Sequence, residues 1–537
     1  MVAVLAEPVD TAAAVASPDP SPPSPPAPDA KMPAQIPFII ANEGCERFSF
    51  YGMKNILTEF LKISLLLHLP AAARGEAATE VLHTFVIGVY FFPLLGGFLS
   101  DRFFGKYNTI LGFSLIYSIG QGCLGLFVDS ETGFYLGLTL IALGSGGIKP
   151  LISSFVGDQF DHRNKHLAKV VFDAFYWIIN FGSFFASLLM PVLLHDAGPR
   201  VAFGVPGVLM LTATLVLWIG RRRYVMVPPA PSSPDSFLRV VASALGYRQP
   251  GDRSTGTVLA IAGAVVAIGV VFTWPWLHLV PAICVALMVL LGAGGAGTWL
   301  QLDRARRRHS AEAIEGVRAV LRILVVFALT TPFFSLFDQK ASTWVLQAEE
   351  MAKPSWFWPS TMLALNPALV LLLIPFNNLV LYPWLRRRGV VVTALRKMTI
   401  GIALAGIAFL IVGAMQLVMD GGAELSVFWQ VLPYVFLTMG EVLVSATGLE
   451  FAYSQAPLPM KGVIMSFWLL TTTMGNVWVL LAQTTVQNEA VLGQIARTGL
   501  SPRAFLMFFF AVFALVTAAV FRLYARRYRE VEHYRAA

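Results

Sequence analysis

The chain alternates between long apolar stretches and short polar connections, many of them basic. A helix needs about 20 mostly apolar residues to cross the hydrocarbon core of a bilayer. By that criterion the pattern predicts twelve main spans, at residues 36–67, 81–100, 107–128, 133–156, 170–194, 201–220, 317–340, 359–385, 394–419, 426–453, 462–485 and 503–524. A further apolar pair, 256–274 and 277–300, lies between the sixth and the seventh. We therefore expect an all-α integral membrane protein with fourteen transmembrane helices, although the extra pair also fits a re-entrant hairpin.

Composition agrees with a membrane protein. The 537 residues are 56% hydrophobic and 13% charged, whereas a soluble globular protein carries about 25% charged residues. The net charge of +8 could indicate a nucleic-acid partner, but the basic residues flank the apolar spans, as they do in membrane loops. The three cysteines have the spacing neither of metal ligands nor of a disulfide framework. We expect no nucleic acid, no metal and no cofactor.

The basic loops also predict the orientation. Clusters such as Arg221–Arg223, Arg386–Arg388 and Arg526–Arg527 follow alternate spans, and the positive-inside rule places such loops in the cytoplasm. Both termini should then be cytoplasmic. The proline-rich start has no signal-peptide pattern, so the first span should direct insertion, and we expect a multi-pass protein of the cell (inner) membrane.

The same pattern divides the chain into parts. Residues 1–35 form a Pro/Ala-rich tail that cannot build a packed element and is expected to be disordered. The remaining expected parts are an amino-terminal six-helix bundle at 36–223, a cytoplasmic linker at 224–310 that carries the extra pair 256–300, a carboxy-terminal six-helix bundle at 311–527 and a cytoplasmic tail at 528–537. Two such bundles are typical of transporters that bind their substrate near the middle of the membrane.

Three charged residues, Glu43, Glu46 and Arg47, interrupt the first span. Their spacing of three and four places them on one face of a helix. A charge at the bilayer centre costs at least about 2.5 kcal/mol, so these groups need partners or a water-lined cavity. The cluster is either a structural knot of salt bridges or a binding and proton-relay site. The second interpretation is favoured because intramembrane charges usually mark a transport pathway.

Other polar residues recur within later spans. His83 and Tyr90 share a face of the second span; the histidine either couples protons, since it titrates near neutral pH, or only packs helices together. Lys149 follows glycines in the stretch Gly144–Pro150, which should loosen the fourth span beside a cavity, unless its ammonium snorkels to the interface. The chain has no nucleophile–base arrangement, zinc spacing or nucleotide-binding loop, so we expect no enzyme.

Several motifs then resemble one family, the proton-dependent oligopeptide transporters. They are Glu43-x-x-Glu46-Arg47-Phe48, Gly146-Gly147-Ile148-Lys149-Pro150, Phe175-Tyr176-x-x-Ile179-Asn180, Phe337-Asp338-Gln339 and Gly448-Leu449-Glu450-Phe451-x-Tyr453. The loop Gly97-x-x-x-Asp101-Arg102 resembles the signature of the major facilitator superfamily, to which that family belongs. The resemblance implies a major facilitator fold of two six-helix bundles, an extra helix pair as in bacterial members, and uptake of di- and tripeptides with protons.

The resemblance also implies roles for single residues. Peptide binding would fall to Arg47, Tyr51, Tyr90, Lys149, Asn180, Asn366 and Glu450. Arg47 and Lys149 would hold the peptide carboxylate, and Glu450 would hold the amino terminus. Proton coupling would fall to Glu43, Glu46, Arg47, His83, Lys149 and Asp338. Arg322 and Asp338 would form ion pairs between the bundles, and the protein would work as a monomer in the lipid bilayer.

Three positions depart from the family pattern. Phe50 stands where a tyrosine is usual, Phe334 where several members have tryptophan, and Asn378 where the residue is often acidic, so Arg322 would lack its usual partner. Two alternative functions stay open: a relative that carries nitrate or another organic acid, and a nutrient sensor that no longer transports. Glu450 argues against the first, because an anion does not need a negative pole.

Overall fold

The structure is a computed structural model that describes residues 32–160, 165–229, 234–246, 254–273, 279–390, 393–448, 451, 455 and 460–528. In these ranges the backbone is almost entirely helical. The described residues form no sheet, and one isolated bridge joins Ala352 to Ser426. The predicted all-α class is therefore confirmed for the described part of the chain.

The described helices are α1 (Ile36–Phe60), α2 (Ala71–Phe91), α3 (Pro93–Leu99), α4 (Gly105–Leu126), α5 (Glu131–Gly157), α6 (Lys165–Val192), α7 (Pro199–Ile219), α8 (Phe237–Gly246), α9 (Thr255–Val271), α10 (Leu279–Gln301), α11 (Ala311–Asp338), α12 (Thr343–Glu350), α13 (Leu365–Phe376), α14 (Tyr382–Arg387), α15 (Ala394–Asp420), α16 (Val431–Glu441), α17 (Lys461–Val486), α18 (Glu489–Arg497) and α19 (Pro502–Arg527). Short π-helical turns extend several of them, including Leu61–Leu65 after α1 and Leu193–Ala197 after α6.

Eleven helical stretches in the described ranges are long and apolar enough to cross a membrane. The expected fourteen spans are consistent with this number for three reasons. The stretch Ala71–Leu126 holds two of the expected spans in one run. Helix α1 carries the charged cluster and is therefore less apolar, and α9, at 17 residues, is slightly short.

Several helices begin at a short polar side chain that accepts a hydrogen bond from a free backbone N–H group. Ser130 caps α5, Ser310 caps α11, Thr393 caps α15 and Ser501 caps α19. These caps stand at the loops between apolar runs, so the sequence defines both the apolar length of each span and its first turn.

Helix α5 packs against α3 and α4 through glycines. A Cβ atom on Gly146 would lie 2.6 Å from the Cβ of Phe92, and one on Gly96 would lie 2.2 Å from the carbonyl oxygen of Gly146. The helix itself runs without a break from Glu131 to Gly157, with Pro150 inside it. The expectation that the glycines loosen this span is therefore wrong. Their missing side chains instead allow the neighbouring backbones to approach.

The helices form two halves whose apolar interiors meet where they pack together. One buried apolar cluster holds residues between Phe50 and Ala213 together with Ala341, Val345 and Leu363 of the other half, and a second runs from Phe237 to Phe521. We call the end of the molecule where α1 begins and α19 ends the terminal end, and the opposite end the distal end. Helices α9 and α10 pack closely where Gly256 meets Gly297.

The connection between the halves is tied to the terminal end by a small polar cluster. His309 Nδ1 lies 2.9 Å from a carboxylate oxygen of Asp235, and the Ser310 hydroxyl donates to the other oxygen at 2.8 Å. These hydrogen bonds, from His309 first, hold the pKa of Asp235 below its ordinary value. The cluster anchors α8 beside the start of α11.

Candidate functional site

Arg47 lies against two buried carboxylates of its own helix. Its Nε atom is 2.6 Å from Glu43 Oε1 and 3.2 Å from Glu46 Oε2. The spacing of four residues along α1 produces the contact with Glu43, whereas Glu46 is the neighbour of Arg47 in the chain. Glu43 Oε2 and Glu46 Oε1 are buried and have no hydrogen-bond partner among the described residues. Two carboxylates thus share one guanidinium, and a proton on either one would leave a neutral ion pair.

The ammonium group of Lys149 lies between two aromatic rings. It is 3.7 Å from the ring centroid of Phe50 and 4.4 Å from that of Tyr90. The nitrogen is buried and has no hydrogen-bond partner in the described part of the chain. The alternative that Lys149 snorkels to the interface is therefore wrong. An ammonium held by ring faces alone keeps its N–H donors for an anionic ligand.

A chain of buried polar contacts joins the two halves midway between their ends. Lys54 donates to one carboxylate oxygen of Asp338 at 2.9 Å, and the Asn476 amide donates to the other at 2.9 Å. The Asn476 oxygen lies 2.5 Å from His83 Nδ1, and His83 Nε2 lies 2.9 Å from the Ser342 hydroxyl. We call these five residues the junction chain.

The hydrogen bonds of Asn476 define the tautomer of His83. The amide nitrogen donates to Asp338 and to the Thr472 carbonyl at 2.8 Å, so the amide oxygen must face the imidazole and Nδ1 must carry a hydrogen. Nε2 then accepts from Ser342 in the neutral ring and donates to it in the charged ring. Ser342 has a second acceptor, the Gln339 carbonyl at 3.4 Å, so the site accommodates both protonation states.

A second polar set lies within the carboxy-terminal half. Lys340 donates to the Asn366 oxygen at 2.8 Å, and its ammonium is 3.1 Å from the ring centroid of Phe337. The Asn366 amide donates to Glu441 at 2.6 Å and to Thr438 at 3.1 Å. Asn366 therefore connects a buried cation to a carboxylate.

Further polar contacts between the halves concentrate toward the distal end. Thr58 donates to the Ala341 carbonyl at 2.7 Å, and Lys62 forms an ion pair with Glu349. Near the same level, the Gln487 amide donates to Glu76 at 3.2 Å. We call this group, with Glu59, His195, Trp358 and Ser360, the distal contact.

The structure does not bring all the expected inter-bundle charges together. Asp338 is paired across the junction, with Lys54. Arg322 lies on the same helix sixteen residues before Asp338, about 24 Å away at the rise of an α-helix. It forms no ion pair with a described residue, and its guanidinium is 5.7 Å from the ring centroid of Trp299 in α10. The expected ion pair of Arg322 is therefore absent within the described ranges.

The three departures from the family pattern have distinct surroundings. Phe50 is fully buried and supplies a ring to Lys149. Phe334 packs edge to face with Trp468, 5.8 Å between centroids, so an indole from α17 lies beside it. Asn378 is exposed.

The remaining predicted residues are placed as follows. Tyr51 packs on Phe50, with ring centroids 5.4 Å apart. The Asn180 amide donates to the Tyr176 carbonyl one turn earlier, at 2.9 Å. Glu450, the expected partner of the peptide amino terminus, lies outside the described residues.

Sequence reasoning missed Lys54, Lys340 and Asn476. Lys54 offered a signal, because it is a charged residue inside the first apolar stretch, seven positions after Arg47 and so on nearly the same helix face. Lys340 follows the Asp338-Gln339 pair directly. Asn476 offered none, since a single amide in an apolar span is ordinary.

Comparisons with known proteins agree with this geometry. Residues 107–498 match the model of the POT family. Solute carrier family 15 member 2 of Mus musculus is 32% identical over 438 residues, covering 78% of this chain and 54% of the relative. The chain thus spans about half the length of the curated relatives it matches.

Two solved structures are more similar. A crystal structure of an auto inhibited POT family peptide transporter is 62% identical, covers 94% of this chain and 99% of its own, and has a TM-score of 0.92. The in meso structure of the POT family transporter PepTSo is 61% identical, covers 94% of this chain and 100% of its own, and also has a TM-score of 0.92. The predicted resemblance is confirmed: the chain belongs to the POT family, whose members are transporters and not enzymes.

Proposed function

We propose that the protein is a proton-coupled symporter that imports di- and tripeptides by alternating access. The observation that carries the proposal is the junction chain. It holds an ionisable histidine and a buried ion pair in one hydrogen-bonded path between the two halves. Proton binding there acts directly on the contact that must break when the halves move.

The peptide would be read at its charged ends. Lys149, with no hydrogen-bond acceptor among the described residues, is the expected partner of the peptide carboxylate, together with Arg47. Glu450 is the expected partner of the amino group. Each peptide residue adds at most about 3.6 Å to an extended chain, so two fixed poles limit length while tolerating different side chains.

Proton coupling would follow from the same ion pairs. A proton on Asp338, which Asn476 links to His83, removes the charge that Lys54 faces. Breaking one side of a buried ion pair costs about 3–5 kcal/mol, so the two halves lose a major reason to stay together. A proton on Glu43 or Glu46 would leave Arg47 with one carboxylate partner instead of two, which frees donors of its guanidinium for the peptide carboxylate.

The orientation follows from the loop charges. The basic clusters lie at the terminal end, so we assign that end, with both termini, to the cytoplasm. The distal contact then lies on the outer side, and the structure corresponds to a form closed to the outside. The bundles 36–223 and 311–527 would rock against each other, breaking the junction chain as they move, in a monomer of the cell (inner) membrane.

The test is uptake of radiolabelled dialanine by the purified chain in proteoliposomes. An inward proton gradient should drive accumulation, and a protonophore should abolish it. Dialanine with an acetylated amino group should compete poorly, and nitrate should not compete. Uptake that ignores the gradient, competition by nitrate, or no uptake by a correctly folded protein would each contradict the proposal, the last favouring a sensor.

A further inference from the structure

His195 is a second histidine between the halves, and the functions proposed above do not use it. It lies in the turn Leu193–Ala197, which extends α6 at the distal end. Its Nε2 atom is 2.7 Å from Glu59 Oε1. Its ring stacks on the Trp358 indole of the other half, with centroids 3.5 Å apart and planes 7° apart. The second oxygen of Glu59 accepts a hydrogen bond from Ser360, near Trp358 in the same connection.

These contacts determine which nitrogen of the imidazole can take up a proton. Glu59 Oε2 accepts a hydrogen bond from Ser360, and in the tautomer with hydrogen on Nε2, His195 donates to Glu59 Oε1. The other ring nitrogen can then take a proton without losing either bond. Glu59 is 3% exposed, whereas the His195 side chain is 19% exposed, so solvent at the distal end reaches the imidazole.

A proton on His195 strengthens two contacts at once. The hydrogen bond to Glu59 becomes an ion pair, and hydrogen bonds between two charged groups are roughly twice as strong as neutral ones. The stack on Trp358 becomes a cation–π contact. The second of these contacts exists only while the halves are together at the distal end.

Charged groups of both signs lie around His195. The charged groups at this level come from α1, the turn of His195 itself, α12 and the connection after it: Glu59, Asp196 and Glu349, with Lys62 and Lys353. Helix α7, which packs on the turn, adds Arg200, paired with Asp129, and Glu59 is the charged group in direct contact with the imidazole.

We propose that His195 is a second proton-binding site, which takes up a proton at the distal contact and holds the two halves closed there. The direction of the pH effect follows from the geometry. Because the contact between charged His195 and Trp358 exists only in the closed form, acid favours closure. This inference rests on the proposed function only in assuming that the halves separate at the distal end.

The test measures the closed fraction directly, without any peptide. Spin labels on cysteines at Thr132 and Ala423, exposed positions on the distal side of the two halves, report the separation by pulsed dipolar spectroscopy in lipid nanodiscs, with the three native cysteines replaced. A proton on Asp338 acts in the opposite direction, so the comparison is made in a His83→Gln background, where the ratio of short to long distances should rise between pH 8 and pH 5.5. His195→Gln keeps a donor for Glu59 but takes up no proton, so its response should be smaller by about two- to fivefold, the value of an exposed cation–π contact.

Three further variants keep the outcome interpretable. Glu76→Gln alters another distal contact and should shift the ratio equally at every pH. Trp358→Leu should reduce the pH response as His195→Gln does. His83→Gln removes the histidine of the junction chain. The double variant His83→Gln, His195→Gln should have a smaller pH response than His83→Gln alone. A His195→Gln protein that is folded, as judged by its thermal melting, and that responds to pH like the same protein with His195 overturns the inference. If the wild-type protein shows no dialanine uptake but its distance ratio still responds to pH through His195, the proposed function is overturned and this inference is not.

Discussion

The ammonium of Lys54 and the carboxylate of Asp338 lie 2.9 Å apart, and they connect α1 of one half to the end of α11 in the other. Both side chains are nearly buried, at 8% and 4% exposure. A buried ion pair adds little net stability over an apolar pair, but leaving one partner alone is costly. Such a pair is suited to a switch, because one proton on the carboxylate changes its energy by a large amount.

Asp338→Asn should therefore open the distal contact. The substitution leaves Lys54 buried without a counter-charge, at a cost of about 3–5 kcal/mol to the closed form. The closed fraction, measured with the labels at Thr132 and Ala423, should fall strongly. Asp303→Asn is the matched control, because Asp303 pairs with Arg306 on the surface at 72% exposure and should leave the closed fraction unchanged. A closed fraction that Asp338→Asn leaves at the wild-type value would contradict a role for the pair in closure.

The aromatic partners of Lys149 should affect peptide affinity. Lys149→Ala should abolish dialanine uptake. Phe50→Leu keeps an apolar side chain but removes the ring that lies 3.7 Å from the ammonium. We expect the KM for dialanine to change by about two- to thirtyfold, the range of cation–π contacts. Phe50→Tyr retains the ring and should stay close to wild type. If Phe50→Leu and Phe50→Tyr give equal KM values, the ring does not position the lysine.

The glycine contact of α5 should be sensitive to a single methyl group. Gly146→Ala would put a Cβ atom 2.6 Å from Phe92, and overpacking of this kind costs typically about 1–3 kcal/mol. Thermal melting in detergent should show the loss. Gly112→Ala in α4 is the control, because a Cβ atom there would have nothing within 4 Å, and it should be neutral or slightly stabilising. Equal melting temperatures for the two variants would show that α5 can move away at no cost.

The sequence predicts those features that are determined by residues close together in the chain. The spans follow from apolar length, and the Arg47 cluster follows from spacings of three and four on one helix. The junction chain was not predictable in the same way. Its partners are far apart, 284 residues between Lys54 and Asp338 and 393 between His83 and Asn476. A pairing across such distances is decided by how the two halves pack.

The predictions that were wrong also depended on packing between residues far apart in the chain. The glycines of α5 were interpreted from their weak helix propensity, but tertiary packing decides their role, because they face α3 and α4. Arg322 was assigned to an ion pair by resemblance, whereas its guanidinium lies beside Trp299 of the extra helix α10. No pattern in the sequence singles out His195. Its significance depends on Glu59 and on Trp358, which lies in the other half of the chain.

The path of the proton is the central claim, and His83→Gln tests it most directly. Glutamine can replace the hydrogen bonds to Asn476 and Ser342 but cannot take up a proton. Asn476 links His83 to Asp338 by hydrogen bonds, and His83 has no hydrogen bond to Glu43 or Glu46 in the described structure, so a proton on His83 should act on the Lys54–Asp338 pair.

The measurement compares two modes of dialanine transport in the same proteoliposomes, accumulation under an inward proton gradient and exchange of labelled for unlabelled peptide without a gradient. The account predicts that His83→Gln loses accumulation and retains exchange. Normal accumulation by His83→Gln would contradict it, because the junction chain would then not carry the proton.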